Sequence, residues 1–190
     1  MDIVEKVRQD VIEMNKNHTE EDGLDIYYDH VRYVVKNAQE LAIRYGADIE
    51  IVELGALLHD IAIISGEGTL EEHHVYGAEI AEKILTNYHY PKDKIERVRR
   101  CVLNHRGSKD LPRTTIEEEI IADADVIAHF DYLPSLFSSA FHILGLNVGE
   151  GADFVKKKLE RDYSKLSPRT KGLLEERYKN IMSVLFLETN

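Results

Sequence analysis

The chain has 190 residues, 43% of them hydrophobic, a single cysteine and a net charge of -11. That suits one folded domain with a sizeable core, excludes a disulfide framework, and disfavours duplex nucleic acid as a partner. No run approaches the ~18 apolar residues of a membrane span, and the charged start Met1-Asp2-Ile3-Val4-Glu5 lacks the apolar core of a signal peptide, so a cytoplasmic protein with no membrane partner is expected.

Helical periodicity organises the chain from end to end. It predicts helices over roughly 2–16 and 25–45, the second with an inward stripe of Tyr27, Val31, Val34, Ala38, Leu41 and Tyr45 and a stop at Gly46. A third covers roughly 48–64, where every residue from Leu54 to Ile64 except His59 and Asp60 is apolar or glycine, so this helix is expected in the middle of the fold. Helices over roughly 72–88, 92–106, 115–131, 134–145, 150–163 and 168–188 follow. Strand patterns are scarce, and Pro91, Pro112, Pro134 and Pro168 all fall at helix starts or connections, so the expected fold class is all-α. The basic clusters Arg97, Arg99, Arg100 and Lys156-Lys157-Lys158 read as solvated helix faces.

Against this apolar background stand His30, the pair His59-Asp60, His73, His105 and Asp125, each in or beside a core-facing stripe. A buried imidazole or carboxylate without a partner costs several kcal/mol. Residues of these types on five helices suggest a shared partner, and a metal ion serves both types. His59 and Asp60, about 100° apart on one helix, diverge too much to satisfy each other, yet both can reach a cation beside the helix. The helix over 115–131 holds two carboxylates, Asp123 and Asp125, one suited to a ligand and the other to a histidine partner or to solvent. His74 reads as exposed and His142 as core, His18 and His89 fall in polar connections, and His129, although an i,i+4 neighbour of Asp125, is left outside the site. Cys101 reads as a buried structural thiol.

The segments Asp29-His30-Val31-Arg32, Leu58-His59-Asp60-Ile61 and Ala122-Asp123-Ala124-Asp125-Val126-Ile127 resemble, in that order, the HD superfamily of metal-dependent phosphohydrolases. The family's Ala-Asp-x-hydrophobic frame favours Asp125 over Asp123. The resemblance implies one all-α domain over 1–190, with an HD core over roughly 25–130 and a C-terminal helical extension over roughly 134–188. His73-His74-Val75-Tyr76-Gly77 and Asn104-His105-Arg106-Gly107 match the subset of relatives with extra histidines. No Gly-Tyr-Pro follows His105, which disfavours the cyclic-dinucleotide branch, and Ile63 stands where some nucleotidase relatives carry a catalytic glutamate.

The resemblance implies His30, His59, Asp60 and Asp125 as ligands of a divalent ion (Mn, Fe, Co, Ni or Mg), one or two per chain. His73 and His105 would hold a second ion or the phosphate, Asp60 or Asp125 would accept the proton of the attacking water, and Arg106 and Lys109 are candidates for phosphate charge. The expected partner is a small phosphorylated substrate, a nucleotide first, with a homodimer allowed. The alternatives are a di-iron HD-type oxygenase and a non-catalytic metal-containing regulatory or binding module.

Overall fold

The computed structural model describes residues 1–17, 25–106 and 112–186, which form helices and connections with no strand among them. Helix α1 spans Ile3–Lys16 and is followed by a π-helical turn, Tyr27–Val31, leading into α2, Arg32–Tyr45. Then come α3 (Ile49–Leu58), α4 (Ile61–Ser65), α5 (His73–Asn87), α6 (Lys92–Asn104) and α7 (Ile116–Asp131). A C-terminal group follows: α8 (Leu133–Ser138) with a π-helical turn at Ser139–Ile143, α9 (Val148–Lys165) and α10 (Pro168–Leu185). No helix among the described residues is long and apolar enough to cross a membrane.

Local sequence sets most of the helix ends. Asp2, Asp48, Thr115, Asn147 and Ser167 each stand before a helix, and each side chain accepts a hydrogen bond from the amide three residues on, satisfying a donor the helix leaves free. Gly46 ends α2 in the left-handed conformation at φ 73°, as its position after the apolar stripe requires.

Helix α3 lies at the centre, with Ile51, Val52, Leu54, Leu57 and Leu58 all fully buried. Gly55 permits this approach, because a Cβ there would stand 3.0 Å from the Cβ of Cys101 on α6 and 3.2 Å from Cγ1 of Ile121 on α7. Helix α7 is shared by two cores. Its Ile120, Ile121, Ala124 and Ala128 pack into the core built by α1 to α6. Its Val126 and Phe130 pack against Leu136, Ala140, Val155, Leu159, Leu166 and Leu174 of the C-terminal group.

The structure corrects the predicted uninterrupted helix over 48–64. The helix breaks at His59 and Asp60, where Asp60 adopts φ -107°, ψ 21° and starts α4. Its carbonyl accepts the amides of Ile63 and Ile64 at 3.0 and 3.1 Å. Flanking residues that are all apolar carry no signal of a break, so periodicity alone runs through it. The break also overturns the expected divergence of the pair: His59 Nε2 and Asp60 Oδ2 lie 3.3 Å apart. His74, expected at the surface, is buried at the start of α5, whereas His142, expected in the core, is exposed. His142 sits in a π-helical turn, whose wider winding shifts side chains off the 3.6-residue stripe. The arginines of 97–100 form ion pairs rather than a free basic face: Arg97 with Asp48 and Glu117, Arg99 with Glu96, Arg100 with Glu118.

Asp123 is buried, and its carboxylate accepts hydrogen bonds from the Ser167 amide (3.0 Å) and hydroxyl (2.5 Å). Ser167 caps α10, so Asp123 anchors the C-terminal helices to α7. Asp123→Ala leaves both donors buried and unpaired, an expected loss of about 2–3 kcal/mol. For a chain of this size that is a fall of about 5–10 °C in melting temperature by circular dichroism. An unchanged melting curve would mean that α10 is not anchored through this carboxylate.

Candidate metal centre

Five segments converge on one point. His30 comes from the π-helical turn before α2, His59 and Asp60 from the break between α3 and α4, His73 from the first residue of α5, His105 from the position after α6, and Asp125 from α7. Single-turn π-helical segments recur at functional sites, and this one carries His30. Helices α2 and α7, which bring His30 over Asp125, are held together by Asn37 Nδ2 donating to Asp131 at 2.7 Å and by stacked Tyr33 and Tyr132 rings.

Asp60 is the hub. Its Oδ2 lies 3.3 Å from His59 Nε2 and 3.7 Å from His30 Nε2, while its Oδ1 lies 3.3 Å from His73 Nε2 and 3.7 Å from His105 Nε2. Asp125 Oδ1 closes the other side at 3.1 Å from His30 Nε2. Of the four predicted metal ligands, His30, His59 and Asp60 form one group able to hold an ion, and Asp125 adjoins it through His30. Asp60, His73 and His105 form a second such group.

The protonation of the rings tests whether these residues fit a metal. Backbone carbonyls only accept hydrogen bonds. The Nδ1 atoms of His59, His73 and His105 donate to the carbonyls of Ala56 (2.8 Å), Leu70 (2.7 Å) and Val102 (2.6 Å), in each case three residues back. The proton of each neutral ring is therefore on Nδ1, and Nε2 presents a lone pair to the centre. Yet His73 and His105 Nε2 stand 3.2 Å apart. Lone pairs at that distance repel unless a cation lies between them, and a backbone carbonyl behind a ligating imidazole is the arrangement that fixes its tautomer. The residues fit a metal.

Charge points the same way. Burial pushes the His30 imidazole below its ordinary range, outweighing the pull of Asp125. Burial and the neighbouring charge of His59 bring His105 down to about 4. Burial also opposes charge on His59, but Asp60 and Asp125 overcome it and lift that ring to about 9. Asp60 is buried, which would raise it, but His59, then His73 and His105, hold it well below the usual carboxylate range. His129 and His30 do the same for Asp125. Without metal, Asp60 and Asp125 are thus held ionised at neutral pH, and the His59 they face is protonated.

Arg106 donates to the backbone carbonyl of Glu71, joining the end of α6 to the approach of α5. Lys109 lies outside the described residues. Cys101 is fully buried, with its thiol raised by burial and by Glu118 and Glu117, as a structural thiol should be. Sequence reasoning left out one residue that the fold brings to the site. The His129 ring stacks on His30, with centroids 5.1 Å apart and planes 15° apart, and its Nε2 is 3.8 Å from Asp125 Oδ1. The i,i+4 spacing of Asp125 and His129 was the available signal.

A family model for the HD domain matches residues 27–129, the span that contains His30, His59-Asp60 and Asp125 in order. A tRNA (cytidine(56)-2'-O)-methyltransferase of Picrophilus torridus is 30% identical over 151 residues, covering 72% of this chain and 41% of that protein. The chain therefore spans less than half the length of this relative. Among solved structures, Bacillus subtilis YpgQ superposes with a TM-score of 0.68 at 19% identity, over 96% of this chain and 91% of that one. YpgQ in complex with ADP gives 0.65 at 20% identity, over 95% and 92%. A predicted HD superfamily hydrolase from an uncultured Thermotogales bacterium gives 0.62 at 22% identity, over 94% and 87%. At these identities the structural likeness is one of fold. The family match covers more than half of the chain and encloses the segments with His30, His59-Asp60 and Asp125, and the chain belongs to the HD-domain family.

Proposed function

We propose that this chain is a metal-dependent hydrolase that cleaves a phosphoester or phosphoanhydride bond of a small phosphorylated molecule, a nucleotide first among them. The observation that carries the reading is the convergence of imidazole Nε2 atoms on Asp60, with the rings of His59, His73 and His105 oriented by Nδ1–H bonds to backbone carbonyls. A divalent ion held by His30, His59, Asp60 and Asp125 would polarise a phosphoryl oxygen and lower the pKa of a nearby water. The chain's own groups supply the rest. Asp60 and Asp125, both held ionised, are acceptors for the proton that the attacking water loses. His105, held neutral, keeps its Nε2 lone pair at physiological pH. Arg106 and Lys109 are proposed to meet phosphate charge near the end of α6. The ADP held by YpgQ makes nucleotides the first substrates to try.

The test is elemental analysis of the native protein, followed by a panel of nucleotides and phosphodiesters with Mn²⁺, Co²⁺, Ni²⁺ and Mg²⁺. At least one ion per chain, and phosphate or nucleotide release abolished by chelation, are expected. A metal-loaded protein that hydrolyses nothing on the panel would instead be a regulatory or binding module. A second reading has its own support in Asp60, whose two oxygens each face a separate pair of histidines, so that the two groups would each hold an ion. Two irons in those groups would suit oxidative chemistry; about two irons per chain and an oxygen-dependent absorption band would decide for it.

A further inference from the structure

Helix α9 sends a buried charge to the edge of the metal centre. Asp162 is 6% exposed, and its Oδ2 lies 2.6 Å from Lys158 Nζ, one turn back, and 3.0 Å from His129 Nδ1. Lys158 Nζ is 3.3 Å from that same Nδ1. A carboxylate only accepts and an ammonium only donates. With the negative oxygen nearer, the proton of the neutral ring belongs on Nδ1, donated to Asp162, and Nε2 of that tautomer carries the lone pair. That Nε2 faces Asp125, and the ligand atoms of His30, Asp125 and His129 all lie within 4.8 Å of one another. Lys158 alone would neutralise Asp162. The imidazole adds a connection from that ion pair to the site. A carboxylate behind a ligating imidazole sets its tautomer and raises its basicity.

We infer that His129 ligates the metal centre on its Asp125 side and that Asp162 is its positioning residue, so that the C-terminal helices complete the site. This rests on the metal-dependent reading above. The test is cobalt binding, followed by titration and by the visible spectrum of the bound ion. Asp162→Asn, which keeps the shape but not the charge, is expected to weaken binding about ten- to hundredfold and to change the spectrum. His129→Gln should cost at least as much, and His59→Ala should eliminate binding. Wild-type affinity and spectrum in both Asp162→Asn and His129→Gln, with binding lost in His59→Ala, would overturn the role of His129 and leave the metal centre intact. A wild-type protein that binds no cobalt overturns both. Because a variant can fail to fold, the unmutated protein provides a second measurement. In ¹⁵N spectra of labelled histidine, zinc should shift His129 Nε2 while Nδ1 keeps its proton. A His129 ring untouched by zinc in a protein that binds zinc overturns the assignment whatever the variants do.

Discussion

Asp60→Asn is expected to strip the protein of metal and to lower hydrolysis on the order of a thousandfold or more. Asp60 serves both histidine groups, His30 and His59 through one oxygen, His73 and His105 through the other. Loss of its charge leaves imidazole lone pairs about a centre with half its anionic charge gone. A bound ion contributes several kcal/mol of charge stabilisation to the transition state, and each 1.36 kcal/mol is a factor of ten in rate. The variant should remain folded, because the Asp60 carboxylate faces the other site residues, while the backbone carbonyl that starts α4 is unchanged. Metal content per chain, turnover and circular dichroism check these three statements. A folded Asp60→Asn that keeps its full metal content and works within tenfold of wild type would remove Asp60 from the centre. Loss of His73, by contrast, should empty only the second group.

Metal affinity should fall steeply with acid, by roughly tenfold per pH unit below pH 9, hence about a thousandfold between pH 9 and pH 6. The cause is His59, the ring raised to about 9 by the carboxylates it faces against the cost of burial. A metal must displace that proton. His30 and His105 are already depressed by burial and offer no competing proton in this window. The sign for stability follows from the same shift. A folded-state value above the ordinary 6.5 stabilises the metal-free protein fully below pH 6.5, and that contribution is lost as pH rises through 9. The metal-free protein is therefore expected to lose this increment towards alkaline pH, while the melting-temperature gain on adding metal grows. Dissociation constants across pH 6–9, and calorimetry in buffers of different ionisation enthalpy, measure this directly. About one proton released per ion at pH 7 is expected; a flat affinity and no proton release would mean that His59 is neutral without metal.

Both predictions depend on residues whose need for a shared partner is readable in the sequence. The reason is chemical: His59 and Asp60 stand in a run that is otherwise apolar from Leu54 to Ile64, and a buried titratable group needs a partner. The all-α class and most helix ends were readable for a similar reason, since apolar periodicity and capping residues act within a turn or two of the chain. Pro91, Pro134 and Pro168 all lie at helix starts, and Gly46 ends α2 as its position implied.

Other features depend on contacts between segments far apart in sequence, and periodicity does not register them. The break at His59-Asp60 turns two diverging neighbours towards one point, yet its flanks look like unbroken helix. Asp123 and Asp125 are two residues apart on α7 and chemically identical; Ser167, 44 residues on, makes the first a scaffold anchor, while His30 draws the second into the site. His129 offers only its i,i+4 spacing from Asp125 until α9 places Asp162 behind it and the π-helical turn before α2 places His30 against it. Residue type and local spacing thus determined that this chain is helical and that it carries a histidine–aspartate centre. What holds the other carboxylate away from that centre, how many imidazoles share it and what stands behind them was decided by helix packing, because ligand geometry is a relation between segments and no single segment encodes it.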